Sequence, residues 1–257
     1  MPDETPQQAE STLSKVAAVT WSFWIIKILC TTLGETGGDA VTMSMNLGYL
    51  VGTLIFAAIF IAAVAAQIAS KRFHASLYWF TIIATTTVGT TMADFADRSL
   101  GIGYAGGSAT LLVLLLGSLA IWHRVEGTVS VETVRTPRTE IFYWVTIMFS
   151  QTLGTALGDW AADDAGLGYR GGVLAFGSLL VVLAGLYFFT KLSRTFLFWS
   201  AFIITRPLGA VLGDLLDKPL SHGGMNASRY TASAILAGAI LLCIVVFPRR
   251  AAQCGAH

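Results

Sequence analysis

The sequence predicts an all-α integral membrane protein of about eight transmembrane helices, arranged as four parallel two-helix repeats with pseudo-fourfold symmetry. Three observations carry this expectation. The 257 residues are 54% hydrophobic and only 12% charged, with a mean hydropathy of +0.68, whereas a soluble domain carries about 25% charge. Apolar runs such as 50–69 and 172–190 are long enough to cross a hydrocarbon layer of ~30 Å. A set of residues also recurs four times at fixed offsets, the signature of a duplicated unit.

The repeat is anchored by Gly34, Gly89, Gly154 and Gly209, in the strings TTLGETGGD, TTVGTTMAD, QTLGTALGD and RPLGAVLGD. Five residues after each glycine stands an aspartate: Asp39, Asp94, Asp159 and Asp214. Ten residues before it stands a tryptophan (Trp24, Trp79, Trp144, Trp199), preceded by Phe23, Tyr78, Tyr143 or Phe198. A tyrosine follows in three copies, as Leu-Gly-Tyr49, Ile-Gly-Tyr104 and Leu-Gly-Tyr169, and the fourth copy has Gly223-Gly224 instead. The motif glycines are 55, 65 and 55 residues apart. The extra length falls in the polar stretch around Pro137, so the unit duplicated twice and that stretch joins the halves.

In chain order, the division is a cytosolic tail at 1–16, a first half at 17–124, a polar linker at 125–140, a second half at 141–248 and a C-terminal tail at 249–257. The expected spans are 17–38, 48–69, 77–95, 105–123, 142–161, 171–190, 197–215 and 229–247. In each repeat a motif helix carries the Trp, Gly and Asp, and a plain apolar helix follows. Two spans per repeat make all four repeats enter in the same direction, giving a ring about the membrane normal, a parallel and not an inverted repeat. Ten basic residues (Lys15, Lys71, Arg72, Arg124, Arg135, Arg138, Lys191, Arg194, Arg249, Arg250) fall on the side of both termini, and four (Arg98, Arg170, Lys218, Arg229) on the other. The positive-inside rule then places both termini in the cytoplasm, the recurrent Trp in the inner interfacial belt, and the polar N-terminus as a tail, not a cleaved signal.

A net charge of +1 without a basic cluster gives no reason to expect nucleic acid as a partner. Cys30, Cys243 and Cys254 suggest neither a disulfide framework nor a zinc motif. No Ser/His pair, His cluster or phosphate loop points to an enzyme. Leu-Gly-Asp159 and Leu-Gly-Asp214 only superficially resemble the signature of intramembrane aspartyl proteases, because the aspartate belongs to a fourfold repeat. That reading is the minor alternative.

Ionised side chains are costly in lipid, so the buried charges should face the bundle interior. Residues four apart share a helix face, which stacks three layers around the axis. The first holds Thr31, Thr86, Gln151 and Arg206, the second Glu35, Thr90, Thr155 and Ala210, and the third the four aspartates. Lys27 lies one turn below Thr31. Small residues four apart, such as Gly34/Gly38 and Gly209/Gly213, let the helices approach closely, and the glycines are expected to unwind the helix before the aspartate. Glu35, Asp39, Asp94, Asp159 and Asp214 form a hard-oxygen ligand set suited to a divalent ion such as magnesium or manganese, or to protons. Lys27 and Arg206 are their expected charge partners, and Thr31, Thr86, Thr90, Gln151 and Thr155 line the pathway. The corresponding function is transport of a small cation, a divalent metal exchanged for protons. The ion is substrate, and no resident cofactor is implied. The alternative is a sensor or assembly protein whose buried charges are structural, and association of two copies is left open.

The repeated strings, with Lys27 ahead of the first, resemble those of a family of bacterial multi-spanning membrane proteins defined by a short repeat of unknown function. The resemblance covers about residues 20–245. It implies a multi-spanning protein of the bacterial inner membrane and little chemistry, since the family's activity is unassigned; heavy-metal or manganese transport is a family-level guess. Arg206-Pro207, in place of Thr-Thr or Gln-Thr, departs from the other copies and implies that the copies have specialised.

Overall fold

The structure, a computed structural model, describes residues 13–247 and 250–253. Most of the two expected tails, with Arg249, Cys254 and His257, lies outside the described residues. Eight long helices follow one another: α1 (Trp21–Asp39), α2 (Tyr49–Ala69), α3 (Ala75–Asp94), α4 (Tyr104–Glu126), α5 (Pro137–Asp159), α6 (Gly168–Phe189), α7 (Arg194–Asp217) and α8 (Arg229–Val246). Short strands β1 (Leu13–Ala17) and β2 (Ala251–Gln253) pair antiparallel.

Four motif helices, α1, α3, α5 and α7, form a closed inner ring in which each packs against its two sequence neighbours and α7 closes on α1. The plain helices surround it, each seated on the motif helix of the following repeat: α2 on α3, α4 on α5, α6 on α7, and α8 back on α1. A repeat therefore does not fold as a closed hairpin; its second helix belongs to its neighbour's packing. Five helices, α2, α4, α6, α7 and α8, are long and apolar enough to cross a membrane. In the apolar windows of α2, α4, α6 and α8 only 6–22% of residues are buried, against 67% for α7, so the plain helices present their side chains to lipid. The other three motif helices are 19, 20 and 23 residues long, long enough for roughly 28–35 Å at 1.5 Å per residue. They are less apolar because their polar row faces the ring.

That row has a period of four. Five tiers can be followed through every motif helix: Phe23, Tyr78, Tyr143 and Phe198; Lys27, Ile82, Ile147 and Phe202; Thr31, Thr86, Gln151 and Arg206; Glu35, Thr90, Thr155 and Ala210; and the four aspartates. All of them are buried. A period of four exceeds the 3.6-residue turn, so the row drifts by ~40° per step around its helix. It stays inside only because the helices cross along their i, i+4 ridges.

Glycine makes the crossing possible. A Cβ on Gly34 would strike Thr86, one on Gly89 the backbone of Gln151, one on Gly154 the Arg206 side chain, and one on Gly209 Thr31. Each motif glycine thus seats the third-tier residue of the next repeat, and the last seats that of the first. One turn on, Gly38 faces Thr90, Gly158 faces Ala210 and Gly213 faces Glu35. The glycines serve close approach, and the helix is not unwound before the aspartate as expected: α1, α3 and α5 run unbroken through Asp39, Asp94 and Asp159. The widening comes afterwards, as five-residue π turns at Ala40–Ser44, Phe95–Ser99 and Trp160–Asp164. In the fourth copy α7 instead continues to Asp217. Gly48 and Gly103 then start α2 and α4 at φ +77°, a conformation that glycine adopts without steric cost.

One expectation changes at the end carrying the termini. The recurrent Trp residues do not form an interfacial belt: Trp79, Trp144 and Trp199 are buried. They pack around the ring in the pairs Phe23–Trp79, Tyr78–Trp144, Tyr143–Trp199 and Phe198–Trp24. The preceding aromatic takes the axis and the indole fills the helix crossing, which removes it from the lipid interface. The polar linker is held to the ring and to β1 by hydrogen bonds. Ser14 hydroxyl donates to the carbonyls of Val131 and Val134, the Lys15 amide donates to Val134, and Trp199 Nε1 donates to the Val129 carbonyl. Lys15 pairs with buried Glu140 at 2.6 Å. Burial raises the Glu140 carboxyl above its ordinary range, against the opposing hydrogen bond and charge of Lys15.

Candidate ion-binding axis

The ring brings all the sequence-predicted site residues onto one axis, and their local partners differ tier by tier. In the aspartate tier, two bases absent from the predicted site provide the pairing. Arg98 stands 2.9 Å from Asp94 and 3.5 Å from Asp159. Lys218 stands 2.7 Å from Asp39 and 3.0 Å from Asp214. Each base lies four residues after the aspartate of its own repeat and reaches forward to that of the next. Repeats 1 and 3 have Met43 and Asp163 at the equivalent position, so the tier has twofold character within a fourfold frame. The sequence did carry a signal: an i, i+4 base after the aspartate in two alternate copies, a spacing that favours pairing on a helix.

Further groups surround this tier. Asp217, one turn from Asp214, pairs with Arg229 at 2.8 Å, and Arg229 also reaches Asp39 at 3.7 Å. Asp39, Asp214 and Asp217 can each turn one carboxylate oxygen to within 4.8 Å of the others. Asp217 stands three residues after Asp214, where the second repeat has Asp97, so this acid recurs in the same two copies that carry Arg98 and Lys218. The recurrent Gly-Tyr tyrosines lie within electrostatic reach of the aspartate of the next repeat: Tyr49 of Asp94, Tyr104 of Asp159 and Tyr169 of Asp214. The fourth copy has Gly224 at the position of this tyrosine, and Asp39 is met instead by Lys218 and Arg229.

In the tier below, Arg206 rises from α7 into the space above Ala210. Its Nη2 stands 3.1 Å from Glu35 Oε2, donates to Thr90 Oγ1 at 2.6 Å and donates to Thr155 Oγ1. Thr90 in turn donates to Glu35 Oε2 at 3.1 Å. One guanidinium thus gathers a group from every other repeat and fills the centre. An alanine at position 210 is what leaves the room. Thr31 hydroxyl is turned to its own helix, donating to the Ile28 carbonyl at 2.8 Å.

Lys27 is placed differently from Arg206. Among the described residues no carboxylate pairs with it; its Nζ sits 4.0 Å from the centre of the Phe202 ring, in a tier otherwise filled by Ile82 and Ile147. Below it the aromatic tier closes the axis, where the Tyr78 and Tyr143 hydroxyls are hydrogen-bonded at 2.6 Å.

The charge inventory is set by these positions. Five axial acids face four bases, and the tiers divide them. Glu35 and Arg206 neutralise each other, Lys27 stands apart, and four aspartates meet Arg98 and Lys218. With every group ionised, the aspartate tier carries −4 + 2, or −2.

Among known proteins, a family model described as Repeat of Unknown Function (DUF347) matches residues 22–73, 77–128, 142–193 and 197–252. No curated protein and no solved structure matches the chain. Each of the four matched segments holds one inner helix and the outer helix that follows it. The chain belongs to the family named for this repeat, and is a multi-helix membrane protein made of four copies of it.

Proposed function

We propose that the protein moves a small cation across the membrane along the ring axis, a divalent metal ion of the manganese kind taken up against protons. The observation that carries the reading is the residual charge of −2 in the aspartate tier. One divalent cation cancels it, and so do two protons, so exchange between the two keeps the buried tier neutral. Burying net charge in a low-dielectric interior is what the fold must avoid. Carboxylate oxygens are the ligands that hard divalent ions prefer, and Asp39, Asp214 and Asp217 offer three that can converge. Glu35 continues the oxygen path inward and is released only if Arg206 leaves it.

In this reading both termini lie in the cytoplasm of a bacterial inner membrane, in keeping with the ten-to-four distribution of basic residues. The aspartate tier then opens toward the outer side. The aromatic tier closes the cytoplasmic end, so conduction requires the ring to rearrange there, as expected of a carrier.

One observation favours a second reading. Every axial aspartate already has a base within 2.7–3.5 Å, as a static network would have, and buried ion pairs often fix a structure without doing more. Flux in proteoliposomes of the purified protein separates the two. Transport predicts metal uptake with manganese or a related divalent ion, abolished by Asp159→Asn or Glu35→Gln in folded protein. Absence of flux for all cations with no bound metal places the charges in a structural or sensing role.

A further inference from the structure

Between the aromatic tier and the Glu35 tier lies a group of polar side chains whose hydrogen-bonding groups are largely left unsatisfied within the ring. Lys27 Nζ is fully buried and has no hydrogen-bond partner among the described residues. Arg206 spends Nη2 on Glu35, Thr90 and Thr155, while its Nε and Nη1 are unpartnered. Both ends of the Gln151 amide and the Thr86 hydroxyl, in the same tier as Arg206, are unpartnered too. Lys27 and Arg206 are close enough to act on each other electrostatically.

These groups are predominantly donors. An ammonium offers three, the free guanidinium positions three, the amide two and the hydroxyl one, against two side-chain acceptors. Glu35 neutralises Arg206, so with Lys27 protonated the set carries a surplus of +1. The neighbouring Ile82, Ile147 and Phe202 supply no anionic acceptor. Native interiors rarely leave buried donors unpaired, and such groups point to an unassigned partner. Water would satisfy some donors but leave the charge. A monovalent anion supplies acceptors without adding donors and cancels the surplus.

We propose that Lys27, Arg206, Gln151 and Thr86 bind one small monovalent anion, of the chloride or bromide class. This site is distinct from the aspartate tier, separated from it by the Glu35–Arg206 pair, and it does not depend on cation flux. Its occupancy would hold Arg206 by its free nitrogens while Nη2 holds Glu35, tying the anion to the centre of the ring.

The test is equilibrium dialysis of the purified full-length protein in detergent against radiolabelled chloride, with bromide and gluconate as competitors. Saturable binding near one chloride per chain, displaced by bromide and not by gluconate, is expected. Lys27→Met should weaken it about tenfold or more, as for loss of a hydrogen bond to a charged group, and Gln151→Leu should weaken it less. Arg194→Gln, an exposed arginine near Tyr187, should leave it unchanged. Failure of folded wild-type protein to bind chloride overturns the proposal, as does binding that survives Lys27→Met intact. Neither result bears on metal flux, which is read separately.

Discussion

Removing the guanidinium at the centre of the ring should be among the most damaging single changes in the molecule. Arg206→Met keeps a long apolar stem and deletes only the charged head. Glu35, 3% exposed, then keeps a single hydrogen bond, from Thr90 at 3.1 Å. Thr155 loses its partner as well. Breaking a buried ion pair by deleting one member costs about 3–5 kcal/mol, because the other charge stays buried without compensation. For a domain of this size about 1 kcal/mol moves the melting temperature by roughly 2–4 °C, so a fall of roughly 6–20 °C is expected. The assay is thermal unfolding in detergent of wild type, Arg206→Met, Glu35→Gln and the double variant. Because the damage comes from an orphaned carboxylate, Glu35→Gln should restore much of the stability lost in Arg206→Met. A loss below about 1 kcal/mol, or a double variant no better than Arg206→Met, would refute the reasoning and show that Glu35 finds another partner.

Other consequences follow from the same geometry. Gly34→Ala would drive a methyl into Thr86 and should destabilise by about 1–3 kcal/mol, as overpacking does. Gly177→Ala on outer helix α6 meets nothing within 4 Å and should stay within about 0.5 kcal/mol of wild type; equal effects would contradict the ring. Tyr78→Phe leaves the buried Tyr143 hydroxyl unpaired and should cost about 1–3 kcal/mol in the same unfolding assay. Lys218→Met changes the aspartate tier from −2 to −3 and uncovers oxygens of Asp39 and Asp214. Manganese titration followed by paramagnetic resonance should therefore show tighter binding than wild type, and weaker binding would mean that Lys218 organises the ligands.

The sequence revealed the tiers because two constraints coincided. Only a residue that cannot face lipid recurs as Asp39, Asp94, Asp159 and Asp214, and only a small residue can stand where the next helix touches, as at Gly34 and Gly209. Both constraints act within one helix, so their spacing is written along the chain. Relations between helices are not. That α2 seats on α3 and α8 on α1 depends on the crossing of the motif helices, which no single repeat encodes. The forward reach of Arg98 to Asp159 and of Lys218 to Asp39 was hidden for the same reason, although the i, i+4 half of each clamp was legible. Trp79, Trp144 and Trp199 misled because tryptophan at a helix end usually marks the membrane interface, whereas here a second aromatic beside it builds an internal seal. Arg206 was legible as a buried charge, but its role in filling the space above Ala210 required the fourth copy to be seen against the other three.

The central claim is that the aspartate tier trades one divalent cation for two protons. Its most direct test is simultaneous measurement of manganese uptake and lumenal pH in proteoliposomes, with the membrane potential set by potassium and valinomycin. The reading predicts proton movement opposite to the metal at about two per ion, the number needed to conserve charge in the buried tier. It also predicts flux insensitive to the potential and lost in Asp159→Asn. Metal flux without proton movement, or none in folded wild-type protein, would contradict it.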